Sequence, residues 1–177
     1  MTAPPHLPLF FVQQRARRGT IVHEIRSAAP SGMPGDVIAS ASAVRKQPVT
    51  RLAFYGDDAD TPVFSVTRRE PSGSKVEFDV FDERAEAIGY VSVEPGASRG
   101  DVAFHISAPY LEADGRRAGG RVAGWVEFLD LGAHPGVDLE VLKIVPRFGQ
   151  YRAVGVSDKR LAFRLAAAAA VAIEVAG

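Results

Sequence analysis

Alternating apolar and polar residues predict β-strands along most of the chain. The clearest example is residues 76–81 (VEFDVF), where valine and phenylalanine alternate with glutamate and aspartate. A period of two places an apolar face on one side of a strand and a charged face on the other. Residues 101–107 (DVAFHIS) repeat the pattern. Both segments are therefore predicted to be half-buried strands.

Short segments of this kind recur at fairly even spacing and are separated by residues typical of turns. They lie at residues 7–13, 20–26, 36–43, 51–55, 62–67, 75–82, 87–93, 101–107, 121–128, 137–145 and 150–156. The spacing leaves no room for the crossover helices that a parallel sheet needs, so it favours an antiparallel sandwich or barrel. Residues 113–120, which contain several glycines, are interpreted as a surface loop.

The end of the chain has a different pattern and predicts a helix at about residues 158–175. Residues 161–175 (LAFRLAAAAAVAIEV) are rich in alanine, a strong helix former, and are apolar on nearly every side. Ser157 and Asp158 are suitable residues for the helix N-cap. The apolar run is shorter than the roughly 20 residues that cross a bilayer, and it contains Arg164. We therefore interpret it as a buried helix.

The shape of this helix favours a position inside a closed barrel. Five consecutive alanines at residues 166–170 make its middle narrow, so inward-facing strand residues can surround it. Closure also removes the exposed edges of so many strands. The alternative is a helix outside a sandwich, which would need a charged stripe built from Arg160, Arg164 and Glu174 alone. We expect a mainly β protein, a closed antiparallel β-barrel around a buried hydrophobic C-terminal helix.

Composition narrows the possible functions. The chain has 177 residues, which suggests one domain, and its 21 Lys and Arg balance its 21 Asp and Glu. With a formal net charge of zero, we do not expect nucleic acid as a partner. The chain has no cysteine, which excludes disulfides, thiolate zinc sites and cysteine nucleophiles. The first residues, MTAPPH, lack the basic start of a signal peptide, so we expect a cytoplasmic location.

Three segments are similar, in order along the chain, to parts of one superfamily. Residues 9–13 (LFFVQ) resemble its opening strand. Residues 76–89 (VEFDVFDERAEAIG) resemble its hairpin V-x-D-x-x-G-x-x-I-G, with Ala85 where the family often has glycine. Residues 151–162 and the apolar helix resemble its last strand and buried helix. The chain thus resembles the tubby C-terminal-like superfamily, which includes tubby domains, phospholipid scramblases and LURP-one-related proteins.

The resemblance implies a single domain over residues 1–177, with about twelve strands around a central helix. Because tubby domains bind phosphoinositides and scramblases act in lipid bilayers, it also implies a non-enzymatic membrane-associated or phospholipid-binding module, cytoplasmic but peripheral to the membrane. The alternative is a soluble scaffold or protein-interaction domain without lipid affinity. The palmitoylated cysteines of scramblases have no counterpart in this cysteine-free chain.

Four groups of basic residues are candidates for binding anionic phospholipid head groups. If they converge on one rim of the barrel, each charge would contribute roughly 1 kcal/mol near an anionic surface. The alternative is dispersed, solvated loop charge that nearby acidic residues offset. The candidates are Arg17, Arg18, Arg45, Lys46, Arg68, Arg69, Arg116 and Arg117.

No local motif in the sequence indicates catalysis or metal binding. The acidic residues 57–60 (DDAD) lack the glycine and the terminal glutamate of an EF-hand loop, so they are interpreted as a polar turn. The four histidines do not occur at the spacings found in zinc-binding or catalytic motifs; they are His6, His23, His105 and His134. We therefore expect no catalytic residue, no metal and no cofactor.

Overall fold

The computed structural model describes residues 6–70, 73–96, 100–109, 111–119, 121–128 and 137–176, with the backbone alone at residues 125–128 and 137–139. These residues form twelve β-strands and one α-helix. In chain order the elements are β1 (Leu9–Arg17), β2 (Thr20–Ala28), β3 (Pro34–Val44), β4 (Arg51–Phe54), β5 (Phe64–Arg68), β6 (Val76–Phe81), β7 (Ala87–Pro95), β8 (Val102–Ala108), β9 (Leu111–Ala118), β10 (Arg121–Phe128), β11 (Val137–Arg147), β12 (Tyr151–Val156) and α1 (Phe163–Ala176).

All twelve strands belong to one antiparallel sheet that curls into a nearly closed barrel. The strand order is β3-β2-β1-β12-β11-β10-β9-β8-β7-β6-β5-β4. Its two edge strands, β3 and β4, meet where Ser40 and Tyr55 exchange two backbone hydrogen bonds of 2.9 Å. Joining the edges reduces the backbone groups left unpaired along them. The predicted antiparallel barrel is confirmed, and the sandwich is not formed.

One predicted loop is instead a strand. We interpreted residues 113–120 as a surface loop, but β9 occupies most of this segment and pairs with both β8 and β10. The prediction was wrong because the buried face of β9 has mainly small residues, so its alternation is weak. Gly115 lies beneath the ring of Phe104 in β8, and a Cβ atom at Gly115 would lie 1.9 Å from Phe104 Cζ. The glycine therefore marks a close approach between strands rather than a turn.

The helix lies inside the barrel, as predicted. Every residue from 165 to 173 is buried, so the middle of the helix has no face in solvent. Its alanines keep it thin, which lets β5 to β8, β12 and β1 approach its backbone closely. At its start Phe163 packs edge-to-face against Phe10 of β1, with 5.2 Å between the ring centroids. Leu165 packs against Gly89 of β7, where the missing side chain leaves room for it.

The helix begins at Phe163, later than the predicted start at residue 158. Oδ1 of Asp158 does not cap the helix but accepts a hydrogen bond of 2.9 Å from the backbone N–H of Arg160. The Arg160 guanidinium also donates to this carboxylate at 2.6 Å and lowers the pKa of Asp158. The predicted capping residue therefore stabilises a turn that precedes the helix.

Charged residues near the two ends of the helix contact the barrel. Arg164 Nε donates to the carbonyl oxygen of Val63 at 2.9 Å, and its guanidinium lies 2.7 Å from Glu83. Glu174, near the other end, contacts two arginines that border the opposite mouth of the barrel. Among the described residues, no helix has both the length and the apolar character needed to cross a membrane.

Candidate functional site

The antiparallel topology divides the connections between strands into two sets, one at each end of the barrel. Because successive strands run in opposite directions, the connections after β1, β3, β5, β7, β9 and β11 all lie at the same end. The last turn of α1 lies there too. We call these connections and the strand residues that border them the basic end. The opposite end, where α1 begins, is the acidic end.

Charge is separated between the two ends although the chain has no net charge. The basic end contains all eight predicted residues together with Arg15, Arg51, Lys75, Arg121, Arg147 and Arg152, against Glu70, Glu77, Glu94, Asp101 and Glu174. The acidic end contains Asp36, Asp57, Asp58, Asp60, Asp82, Glu83, Glu86, Glu112 and Asp158, against Arg26, Arg84, Lys159, Arg160 and Arg164. The topology thus brings the four predicted basic groups to one rim.

Backbone hydrogen bonds join neighbouring connections of the basic end. The N–H of Arg45 donates to the carbonyl of Gly19 at 2.8 Å, which holds the β3–β4 connection against the β1–β2 turn. The N–H of Arg68 donates to the carbonyl of Thr50 at 2.8 Å, which places β5 beside the same connection. In the strand order, the basic residues follow the rim from β9 through β12 and β1 to β5. This arc is interrupted near β8, where Asp101 lies.

Arg69 is engaged in ion pairs on the outer wall. Its Nη2 atom lies 2.6 Å from Asp79 Oδ1, and its Nη1 atom lies 3.3 Å from Glu77 Oε2. The guanidinium also lies 4.6 Å from the centre of the Tyr90 ring. The hydrogen bonds to Asp79 are the main reason that the pKa of Arg69 is raised above its ordinary range. This predicted residue therefore has two carboxylate partners within the protein.

Arg117 holds the end of the helix. Together with Arg152 it contacts the carboxylate of Glu174, which lies between the two guanidinium groups. Arg117 also donates to the carbonyl of Ile173 at 3.4 Å. Burial, and then the positive charge of Arg117, lower the pKa of Arg152. Arg117 therefore has a structural role that the sequence did not predict.

The remaining predicted residues are accessible to a ligand. Arg68 is half-buried because it continues the inward face of β5. The exposed residues are Arg17, Arg18, Arg45, Lys46 and Arg116. Within the part of the chain that the structure describes, neither Arg68 nor any of these five forms an ion pair.

The basic end also contains residues that were not among the predicted candidates. Arg147 lies in the β11–β12 region, next to Phe148, whose side chain is 50% exposed. Val44, next to Arg45, is 54% exposed. Successive turns of an antiparallel sheet alternate between its two ends, so counting strands can predict the end at which Arg147 and Phe148 lie. The assignment of residues 113–120 to a loop leaves one strand out of that count and gives the wrong end.

A cavity of about 300 Å³ lies in the mouth of the barrel at the basic end, between the helix and β1, β2 and β12. His23 lines this cavity and is 4% exposed, and burial lowers its pKa below the ordinary value of about 6.5. Arg152 and Glu174 line the same cavity. The cavity is therefore polar on the side that faces the rim, with a histidine whose neutral form is favoured.

Acid should destabilise the protein through His23. Below about pH 6.5 the unfolded chain binds a proton at this residue more readily than the folded protein, so the free energy of unfolding decreases as the pH falls. The contribution reaches roughly 1.4 kcal/mol per pH unit where only the unfolded state is protonated. Urea unfolding between about pH 7 and pH 5.5 should show this slope in the wild type and a smaller slope in H23Q. H105Q, which keeps His23, is the control, and equal slopes in wild type and H23Q would contradict this account.

A histidine, two carboxylates and a hydroxyl meet on the outer wall of β8 and β9. His105 Nδ1 lies 2.7 Å from Asp114 Oδ1. Ser107 Oγ donates to Glu112 Oε1 at 3.1 Å. The hydroxyl is directed at a carboxylate and not at the imidazole, so the cluster lacks the serine–histidine hydrogen bond that activates a nucleophile.

The acidic residues 57–60 form a turn at the acidic end. Oδ1 of Asp58 accepts a hydrogen bond of 2.8 Å from the backbone N–H of Asp60, which is typical of a polar turn. In the described ranges, no group of three or more His, Cys, Asp or Glu side chains is placed to hold a metal ion. His134 lies outside the described residues.

Comparisons with known proteins identify no relative. The chain matches no protein-family model, no curated protein and no solved structure.

Proposed function

We propose that this protein binds anionic membrane surfaces through the basic end of its barrel, as a non-enzymatic phospholipid-binding module at the periphery of the membrane. The observation that carries the proposal is the separation of charge. The chain has no net charge, yet its accessible cations concentrate at one end and its carboxylates at the other. An anionic surface both attracts and orients such a protein.

The length of the barrel makes this separation effective. The longest strands, β3 and β11, have 11 residues each. At about 3.3 Å per residue and a tilt of about 40°, they span roughly 25–30 Å along the barrel axis. Salt screens a charged surface over about 8–10 Å at physiological ionic strength. Carboxylates at the acidic end therefore add little repulsion when the basic end faces the membrane.

The accessible cations are sufficient for weak, reversible binding. Each Lys or Arg near an anionic surface contributes about 1 kcal/mol, so the five exposed candidates contribute roughly 5 kcal/mol. This corresponds to a partition constant on the order of 10³–10⁴ M⁻¹. Phe148 and Val44 place exposed apolar side chains at the same end. Such side chains can enter the interface between head groups and acyl chains.

Vesicle sedimentation with paired charge variants tests the proposal. The wild type should bind phosphatidylcholine vesicles that contain phosphatidylserine and should not bind phosphatidylcholine alone. R45Q/K46Q removes two exposed cations and should weaken binding roughly 30-fold, which corresponds to about 2 kcal/mol. Binding should also weaken as the salt concentration rises, because the attraction is screened.

A matched pair at the acidic end is the control for this experiment. R84Q/K159Q makes the same change in net charge and should bind phosphatidylserine vesicles like the wild type. Equal losses in the two double variants would contradict binding through the basic end. A wild type that does not bind at low salt would contradict lipid binding altogether, and would favour a soluble scaffold or protein-interaction domain.

We also propose that the chain belongs to the tubby C-terminal-like superfamily. Support comes from the twelve-stranded antiparallel barrel around a C-terminal helix, which is the architecture that the resemblance implies. Gly89, in the hairpin motif, supports it further because it lies where the helix packs against β7. Vesicles with phosphatidylinositol phosphates, matched in total charge to phosphatidylserine vesicles, test the lipid preference of that family. Equal binding at matched charge would indicate recognition of charge alone.

A further inference from the structure

The outer wall of the barrel is apolar on one side. On β6, β7 and β9 it presents polar or charged residues such as Glu77, Asp79 and Asp114. On β1, β11 and β12 the corresponding outward positions include Leu9, Phe11, Val145, Ala153 and Gly155, with Lys143 beside Gly155. Phe11 and Ala153 are buried, yet they do not belong to the cluster that fills the barrel. Other side chains of the outer wall, such as Phe148 and Tyr151 beside Phe11, therefore cover part of this apolar side.

These outward residues form a groove of about 580 Å³, a volume typical of small-molecule sites. Strand register explains its shape. Leu9 is paired with Gly155 and Phe11 with Ala153, so small residues of β12 form the floor beside larger side chains of β1. Along β11 the lining extends from Lys143 to Arg147, about 13 Å at roughly 3.3 Å per residue.

Aromatic side chains close the groove toward the basic end. The rings of Phe148 and Tyr151 lie 6.0 Å and 6.2 Å from the ring of Phe11. Phe148 has a φ of 49°, a left-handed conformation that is rare for a bulky residue, and its side chain is 50% exposed. The turn therefore holds an aromatic ring at the end of the groove at a conformational cost.

Cations border the groove along β10 and β11. Arg121, Lys143 and Arg147 line it and are exposed. Among the described residues, none of these three is in an ion pair. An apolar floor with cations along one side complements a ligand that combines a hydrocarbon chain with an anionic head.

We propose that this groove binds a free fatty acid, a single-chain anionic amphiphile taken from solution. The hydrocarbon chain lies over Gly155 and Ala153, between the half-buried side chains of Leu9 and Val145. The carboxylate accepts hydrogen bonds from the cations of β10 and β11. This site lies on the side of the barrel and adjoins the basic end, with which it shares Arg121, Arg147 and Phe148, but it contains none of the five exposed candidates of the proposed membrane surface.

Calorimetric titration with laurate, kept below its micellar concentration, tests the proposal. Laurate should bind, and two partial ligands should bind at least tenfold more weakly. Acetate has the head without the chain, and dodecyl maltoside has a chain of the same length without the charge. Failure of laurate to bind would overturn the proposal. Equal affinity for dodecyl maltoside would overturn the pairing of the carboxylate with the cations.

Two variants test the two parts of the groove. A Cβ atom at Gly155 would meet nothing closer than the carbonyl oxygen of Lys143, at 3.8 Å, so G155V should fold. Its side chain would occupy the floor and should lower laurate affinity at least tenfold. K143Q/R147Q should lower laurate affinity roughly three- to tenfold while leaving dodecyl maltoside unaffected. R84Q/K159Q, far from the groove, should leave laurate affinity unchanged.

Two variants with opposite expected effects distinguish this site from the proposed membrane surface. R45Q/K46Q should lose binding to phosphatidylserine vesicles and keep laurate affinity. G155V should lose laurate affinity and keep vesicle binding. If G155V also lost vesicle binding, the groove would be part of the membrane surface and a separate site for a free ligand would be overturned. If wild type bound laurate but not vesicles, only the proposed membrane function would fail.

Discussion

An aspartate in the middle of the helix, introduced by Ala168→Asp, should abolish cooperative folding or lower the melting temperature by about 10–20 °C. Ala168 is fully buried, and the charged residues of the helix, Arg164 and Glu174, lie near its ends. Burial of an unpaired charge costs several kcal/mol even after relaxation. This is a large fraction of the roughly 5–15 kcal/mol that stabilises a typical domain. Circular dichroism during heating measures the effect.

An aspartate at an exposed alanine is the matched control. Ala103 is exposed on β8, and its partners across the strands are Glu94 of β7 and Arg116 of β9, whose opposite charges offset each other beside the new carboxylate. A103D should therefore change the free energy of unfolding by less than about 0.5 kcal/mol. A168D and A103D with the same melting temperature would show that the helix is not enclosed by the barrel. That result would contradict the fold and, with it, the family proposal.

Gly115→Ala should destabilise the protein by about 2–3 kcal/mol, which lowers the melting temperature by roughly 5–10 °C. The added Cβ would lie 1.9 Å from Phe104 Cζ, so the ring must move. It has little room to do so, because Phe104 is only 3% exposed and packs within the core of the barrel. Overpacking of a buried strand pair therefore produces the loss. Urea unfolding gives its magnitude.

A double-mutant cycle with Phe104→Leu identifies the cause. If the ring is responsible, the smaller leucine should cost less stability in the G115A background than in the wild type, with a coupling of about 1 kcal/mol or more. The control is Gly155→Ala, where the new Cβ makes only an ordinary contact of 3.8 Å. G155A should be neutral or stabilising. Purely additive effects of G115A and F104L would contradict the proposed contact.

The strand at residues 76–81 and the helix were predictable because the apolar and polar pattern that defines each of them is contained in its own short stretch of sequence. VEFDVF has one apolar and one charged face regardless of which strands lie beside it. The segment at residues 161–175 is apolar on nearly all sides, so its apolar surface is removed from water only when other elements surround it. The exact start of the helix was less predictable, because Asp158 is used in a preceding turn.

β9 was missed because the small size of its residues is explained by their contacts with the neighbouring strand β8 and not by a pattern within β9 itself. Gly115 is small since the Phe104 ring of β8 occupies the space of its side chain. In the sequence alone the glycine indicated a loop. The omission has a large consequence, because the loss of one antiparallel strand reverses the direction of every later strand. Arg147 and Phe148 would then have been placed at the wrong end of the barrel.

The basic residues were identified from the sequence, but the sequence did not show which of them are free to contact a ligand and which are paired within the protein. Arg68 and Arg69 are adjacent in the chain, yet Arg68 continues the inward face of β5, whereas Arg69 binds Asp79 on the outer wall. Arg117 is engaged by Glu174, which is far away in the sequence. Such partners cannot be read from local patterns, because the fold brings them together.

By itself the sequence determined the strand character of most of the wall, the burial of the helix and the presence of basic groups near turns. Periodicity and propensity decide these features locally. Only the tertiary structure decided which turns share an end, which cations are paired and where the outer groove lies. These features depend on strand direction and on contacts between residues distant in the chain.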